Sequence, residues 1–214
     1  MSKIQTINLK KVELKFSDTE DPVAQRTSWE PANRGGANFK AQQMIEENQK
    51  IIIKKSVGAI IFYLVFAIPG ALAVVILAPY LFISGEIVPG IFAIVWGAIF
   101  GGAGFLMLLG DKNMTFDKAK GVYFRGQPRN EMITEDKSVQ GSLKDIYAIQ
   151  LISERIRSTS SQGGSSTYTS YELNLVLRDG SRVNVMDHGK EVAIDDAAKA
   201  LAKFLNVPVW KGQF

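Results

Sequence analysis

Two long apolar runs, Ser56 to Gly85 and Ile87 to Gly110, are separated by the single charge of Glu86 and preceded by the pair Lys54–Lys55. Each exceeds the roughly 20 residues of helix that cross a bilayer core, and helices satisfy their own backbone there. The pattern predicts a transmembrane helical hairpin over 56–110. Pro69–Gly70, in the middle of the first run, predicts a kink, because proline removes a backbone donor. The connection is expected over Pro79 to Gly90, where Ser84, Gly85, Pro89 and Gly90 favour a turn. In the second run Ala93, Gly97 and Gly101 recur every four residues with Gly104 on the same side, and Ala67 and Ala71 offer a matching face on the first. Such stripes let helices approach closely. They serve either to pack the hairpin against itself or to meet another copy or partner.

Beyond the second run the period changes to two. Asn113 to Asp117 and Gly121 to Arg125 flank Lys118–Ala119–Lys120 and predict a hairpin. Ser142 to Arg157 is rich in Ile, Leu and Tyr, and Tyr171, Leu173, Leu175 and Leu177 alternate onto one strand face. Asp179–Gly180 suits a two-residue turn into the strand Ser181 to Met186. The Ser, Thr and Gly run from Ser158 to Ser170 predicts a solvated, mobile hairpin tip. From Lys190 to Asn206 the pattern becomes helical, with Ala197, Leu201, Phe204 and Leu205 on one face, Asp195 and Asp196 near the start and Lys203 near the end. Pro208 stops that helix, and Val207, Val209 and Trp210 are expected to clasp the segment after it onto the sheet.

Ahead of the apolar runs, Ile7 and Leu9, then Val12, Leu14 and Phe16, alternate. Asn38 to Met44 and Gln49 to Lys54 are expected to pair around Glu46–Glu47–Asn48. The expected architecture is an α+β membrane protein in three parts: a strand-rich segment 1–55, a transmembrane hairpin 56–110, and a cytoplasmic antiparallel β-rich domain 111–214 with a C-terminal helix. The first segment is a candidate to complete the sheet of the third.

Charge sets the expected topology. Lys50, Lys54 and Lys55 precede the first run and Lys112, Lys118 and Lys120 follow the second, whereas the connection has no Lys or Arg, so both termini are expected on the cytoplasmic side of the inner membrane. The first 53 residues are polar and mixed in charge and contain the helix-averse stretch Trp29 to Gly36, where a cleavable leader would carry its apolar segment, so the first run is read as an internal anchor. The formal charge of +4 is spread over both polar parts, too diffuse to suggest nucleic acid. Lys54, Lys55, Lys112, Lys118 and Lys120 are candidate lipid-headgroup contacts, each contributing about 1 kcal/mol at an anionic leaflet.

Little in the chain suggests a reaction. There is no cysteine, hence no disulfide, thiolate metal site or thiol nucleophile. His188, the one histidine, has Asp187 beside it but no recognisable nucleophile, and reads as a residue at a strand end. Asp195 and Asp196 project about 100° apart on a helix and read as dipole partners. Gly101–Gly102–Ala103–Gly104 falls inside an apolar run and is not a phosphate loop. No Asp, Glu, Lys, Arg or His lies inside either run, unlike most transporters. Neither cofactor, metal nor small-molecule substrate is expected.

The order Thr115–Phe116–Asp117, a turn, Gly121–Val122–Tyr123–Phe124, then Gly141 to Ile149, a long hairpin and a terminal amphipathic helix resembles bacterial pleckstrin-homology-like domains attached to paired membrane helices. The stretch Tyr171 to Gly189 is similar to uncharacterised bacterial inner-membrane proteins. The resemblance covers about half the chain and implies a scaffold for binding or assembly. The expected role is a non-enzymatic, membrane-anchored interaction or assembly module that meets membrane lipids and a protein partner or further copies of itself. An anionic-lipid sensor and a homo-oligomeric pore or transport accessory are the alternatives.

Overall fold

The computed structural model describes residues 4–8, 11–16, 21–32, 41–110, 112–128, 136–159 and 165–213. Its elements are β1 (Ile4–Asn8), β2 (Lys11–Phe16), α1 (Pro22–Arg26), β3 (Gln42–Glu47), β4 (Lys50–Lys55), α2 (Val57–Leu72), α3 (Ala78–Ile83), α4 (Ile87–Leu109), β5 (Met114–Asp117), β6 (Val122–Arg125), β7 (Gln140–Ser142), β8 (Ile146–Thr159), β9 (Ser165–Leu177), β10 (Arg182–His188), α5 (Glu191–Leu205) and β11 (Val209–Gln213). The chain divides into two units, a body of 1–54 with 113–214 and a helical hairpin of 55–112.

The body is α+β. Strands from both sides of the hairpin build one five-stranded sheet, in the order β3-β4-β5-β6-β7, and a six-stranded sheet runs β10-β9-β8-β11-β1-β2. In the first, β4 and β5 are antiparallel neighbours with Ile53 opposite Met114, so the chain leaves and rejoins the body at adjacent strands. The second sheet departs from the expected antiparallel arrangement, because β11 pairs with β8 in parallel, Val209 opposite Ile149. The helix explains the change: α5 carries the chain back along the sheet after β10, so the next strand starts from the same end as β8.

The main core lies between the sheets and α5. Ile51, Met114, Phe116 and Tyr123 from one sheet meet Ile149, Leu151, Leu173, Leu175, Val183 and Val185 from the other, with Ala197, Leu201 and Phe204 of α5. Arg125 Nη2 donates to Asn184 O at 2.6 Å, a polar tie between the two sheets. Beneath β5, Asp117 is buried and accepts from Lys120 N–H at 3.1 Å, with Lys50 Nζ at 3.2 Å. Burial pushes its carboxyl up, but the Lys120 N–H and the Lys50 ammonium outweigh this and hold it below its ordinary 3.8. The helix α5 ends on Asn206 in the left-handed conformation (φ 56°), with Pro208 beyond it. Asp195 is bound to Lys199 at 2.6 Å and Lys211 at 2.5 Å, so it ties α5 to β11 besides lying near the start of the helix.

Two loops differ from expectation. Ser158 to Ser170 is mostly strand: β8 and β9 continue their ribbon to Thr159 opposite Ser165, and 160–164 lie outside the described residues. Threonine and tyrosine are strand formers, and cross-strand pairing compensates for the missing apolar face. The turn after β9 has three residues, not two: Leu177 N–H donates to Ser181 O at 2.9 Å and Gly180 takes φ 86°. That is a type I turn closed by a left-handed glycine.

In the hairpin unit, Ser56 Oγ caps α2 by accepting from Ala59 N–H at 3.1 Å. The helix continues through Pro69 and leaves α geometry later, over a π segment Ala73–Leu77 in which Ala78 N–H reaches Ala73 O. The wider turn precedes Pro79, which has no N–H to give. The connection is shorter than Pro79 to Gly90, because Pro79 and Pro89 sit in the first turns of α3 and α4, where a missing N–H costs little. What links them is Ser84–Gly85–Glu86, with Gly85 at φ 83°. Val57–Ile83 and Ile87–Leu109 are each long and apolar enough to cross a membrane.

Candidate functional site

The small-residue stripes meet each other. A Cβ added at Gly104 would lie 2.5 Å from Ala67 N, and one at Gly97 2.6 Å from Gly70 O and 2.7 Å from Val74 Cγ2. Gly101 sits against the Gly70 backbone, and Gly90, Ala93, Gly97 and Gly104 are buried along α4. On the first helix Tyr63 and Gly70 are buried, Ala67 is half-buried, and Ala71 is exposed, its backbone N 3.2 Å from a Cβ placed at Gly101. The seam therefore runs through Tyr63, Ala67, Gly70 and Ala73, and the expected Ala67–Ala71 face is rotated. Glycine at position 70 supplies the contact that alanine was expected to make.

The candidate headgroup lysines are not equivalent. Lys55 Nζ donates to Leu108 O at 2.9 Å and to Gly110 O, capping the carbonyl end of α4, where a cation also meets the helix dipole. Lys118 Nζ stands 4.3 Å from the Phe204 ring centroid. Lys54 is half-buried, whereas Lys112 and Lys120 are exposed.

His188 is buried at the end of β10 and its Nδ1 accepts from Lys190 N–H at 2.8 Å. Asp187 Oδ1 accepts from Asn184. This hydrogen bonding shapes the entry into α5. Among the described residues, no three His, Asp or Glu side chains are grouped to hold a metal.

Sequence reasoning passed over a polar seat on the other face of the six-stranded sheet. Residues 21–32 lie across it as a strap. Asp21 caps α1 through Oδ1 and accepts from Tyr147 OH through Oδ2 at 2.9 Å. That bond, with burial, pushes the Tyr147 phenol up. Val23 and Ala24 bury themselves with Ala148, Val176 and Trp210. Trp29 lies 5.9 Å from Trp210 and over Gly212, where any side chain would meet the indole at 2.8 Å.

Next to this apolar patch, the strand side chains bond the strap's backbone. Gln150 Nε2 donates to Ser28 O at 3.0 Å, Arg182 Nη1 to Glu30 O at 2.7 Å, and Glu172 Oε1 accepts from Ala32 N–H at 2.9 Å. Asn174 Nδ2 donates to Glu172 Oε1 and, at 3.5 Å, to Gln150 Oε1. Gln150 and Asn174 are fully buried and Glu172 is 5% exposed. Burial lowers the Arg182 pKa, and the Glu172 carboxylate opposes that shift. The alternation of β9 was the available signal: its even positions, Ser170, Glu172 and Asn174, resemble a solvated face, yet all three are buried. Comparisons with family models, curated proteins and solved structures find no match to this chain.

Proposed function

We propose that this is an integral protein of the cytoplasmic membrane, spanning it twice with both termini cytoplasmic, whose pleckstrin-homology-like body acts as a non-enzymatic, membrane-anchored interaction or assembly module. The observation that carries the reading is the outward surface of the hairpin. Ile83 is 88% exposed, Val88 77% and Leu106 68%, and only 11% and 17% of the two most apolar windows are buried. In water so large an apolar surface invites association; in hydrocarbon it needs no cover. Adjacent strands β4 and β5 feed the two helices, which favours one side of the membrane for everything outside the hairpin. Two sheets around a core closed by α5 are compatible with the pleckstrin-homology likeness, with β11 as an addition. The glycine seam is consumed within the hairpin, which weighs against a pore lined by that stripe.

The chain has no native cysteine, so single cysteines report cleanly. Glu86→Cys and Lys112→Cys are expected to react with an impermeant maleimide from opposite sides of sealed vesicles; labelling from one side would overturn the two-span reading. Crosslinking in the native membrane is expected to recover a recurrent protein, foreign or a second copy. Recovery of lipid alone would replace the module with the lipid sensor.

A further inference from the structure

We infer that the hairpin carries a lipid-tail site: one acyl chain of a zwitterionic phospholipid, from the leaflet on the side of the Ser84–Gly85–Glu86 turn, lies in a groove between the two membrane helices. The inference rests on the two-span reading above and adds a ligand to it. A groove of about 660 Å³ runs beside the glycine seam, lined by residues between Pro69 and Leu81 on the first helix and between Pro89 and Trp96 on α4. That is an ordinary size for a small-molecule site. Its floor is small and buried, Ala73 and Ala93, and its walls are large and exposed, Leu72 and Ile76 on one side and Phe92 and Trp96 on the other. Trp96 stacks on Phe100 with ring centroids 4.9 Å apart, which fixes that wall before anything binds. The π segment makes the groove continuous. In an α-helix every fourth residue runs about 40° ahead of the one before, so Pro69, Ala73, Leu77 and Leu81 would wind away from α4. The wider turn over Ala73–Leu77 takes up an extra residue and keeps all four on the groove.

Length, width and polarity select the occupant. From Pro69 to Leu81 the groove is roughly 18 Å long at ~1.5 Å of rise per residue, close to the depth of one leaflet, about half of a ~30 Å core. A third helix, from a partner or a second copy, would use a stripe along the full span. At about 10 Å across, it is also too wide to enter the furrow between two helices whose backbones meet at Gly70 and Gly101. An extended hydrocarbon tail is narrow enough, and the concave walls give it more dispersion contacts than a convex helix face would. The lining is almost wholly carbon, so water would find no partners there. Glu86 is the one charge of the turn at the shallow end. It repels the carboxylate of a free fatty acid or an anionic headgroup, whereas a zwitterionic phospholipid brings an ammonium as well.

Phe92 and Phe105 are both exposed phenylalanines of α4, and of the two Phe92 lines the groove. Benzoylphenylalanine is placed at each in turn in the full-length protein, reconstituted in vesicles of phosphatidylethanolamine, phosphatidylglycerol and oleic acid in equal parts. Irradiated in the vesicles, both positions are expected to give lipid adducts; none at either overturns the two-span reading itself. Irradiated after extraction into maltoside and removal of free lipid, position 92 is expected to keep a phosphatidylethanolamine adduct several-fold above position 105. Leu72→Ala with Ile76→Ala, which lowers one exposed wall and leaves the seam alone, is expected to cut that adduct several-fold. Equal retention at the two positions, or a yield indifferent to the wall, overturns the site and leaves the spans standing. An adduct at position 92 with the mass of phosphatidylglycerol, oleic acid or a peptide gives the groove to another occupant and overturns the inference.

Discussion

Gly97 and Gly102 lie on the same helix but differ in what stands beside them. A Cβ at Gly97 meets the Gly70 carbonyl and Val74, while one at Gly102 meets nothing within 4 Å. Gly97→Ala is therefore expected to destabilise the hairpin by about 1–3 kcal/mol through overpacking. Gly102→Ala should be neutral or gain up to ~1 kcal/mol of helix propensity. Unfolding of the two variants in bicelles compares them directly, and equal effects would deny the seam. Asp117 makes a different demand. Its carboxyl is held below its ordinary 3.8, so its stabilising contribution is present above about that pH and is lost as pH falls through the lower folded value. Asp117→Asn should cost about 1–3 kcal/mol at neutral pH and flatten the acid limb of a stability–pH profile. An unchanged limb would assign the acid sensitivity elsewhere.

Among the elements, α4 ends on a donor from the strand before α2. Lys55→Met should leave Leu108 O and Gly110 O without that ammonium, cost about 0.3–1 kcal/mol, and speed hydrogen exchange in the last turn of α4. Exchange unaffected there would mean that water already serves those carbonyls. At the end of α5, Asn206→Val forces a β-branched residue into φ 56° and should cost about 1–2 kcal/mol, whereas Asn206→Gly should not, as thermal melts can check. The elements most legible from the chain were those with local signals: the apolar helices, the β9–β10 reversal at Asp179–Gly180, though its turn is one residue longer than expected, and the amphipathic α5. Prolines 79 and 89 misled because their effect depends on position in a helix, which the apolar pattern alone does not set. The Ser–Thr run misled because its strand character comes from its cross-strand partners.

For the molecule as a whole, the non-local pairings were the ones hidden. Nothing near β11 announces that it will lie parallel to β8, since that follows from where α5 sends the chain. The strap seat was hidden for a related reason. Glu172 and Asn174 are polar at alternate positions, the pattern of a wet face, yet they are buried, and the distant residues 21–32 bond to that face. Conversely, the pairing of Ile53 with Met114 makes the body a composite of sequence from both sides of the hairpin. That composite dictates an order of synthesis. When β4 leaves the ribosome, its partner β5 is still about 60 residues away, beyond both apolar helices. Ile51 and Ile53 must therefore wait uncovered while α2 and α4 are made, and the five-stranded sheet can close only afterwards. A nascent chain arrested before Met114 is expected to hold its helices in the membrane and leave the β3–β4 segment open to protease. One extended past Asp117 and through β8–β11 should protect it.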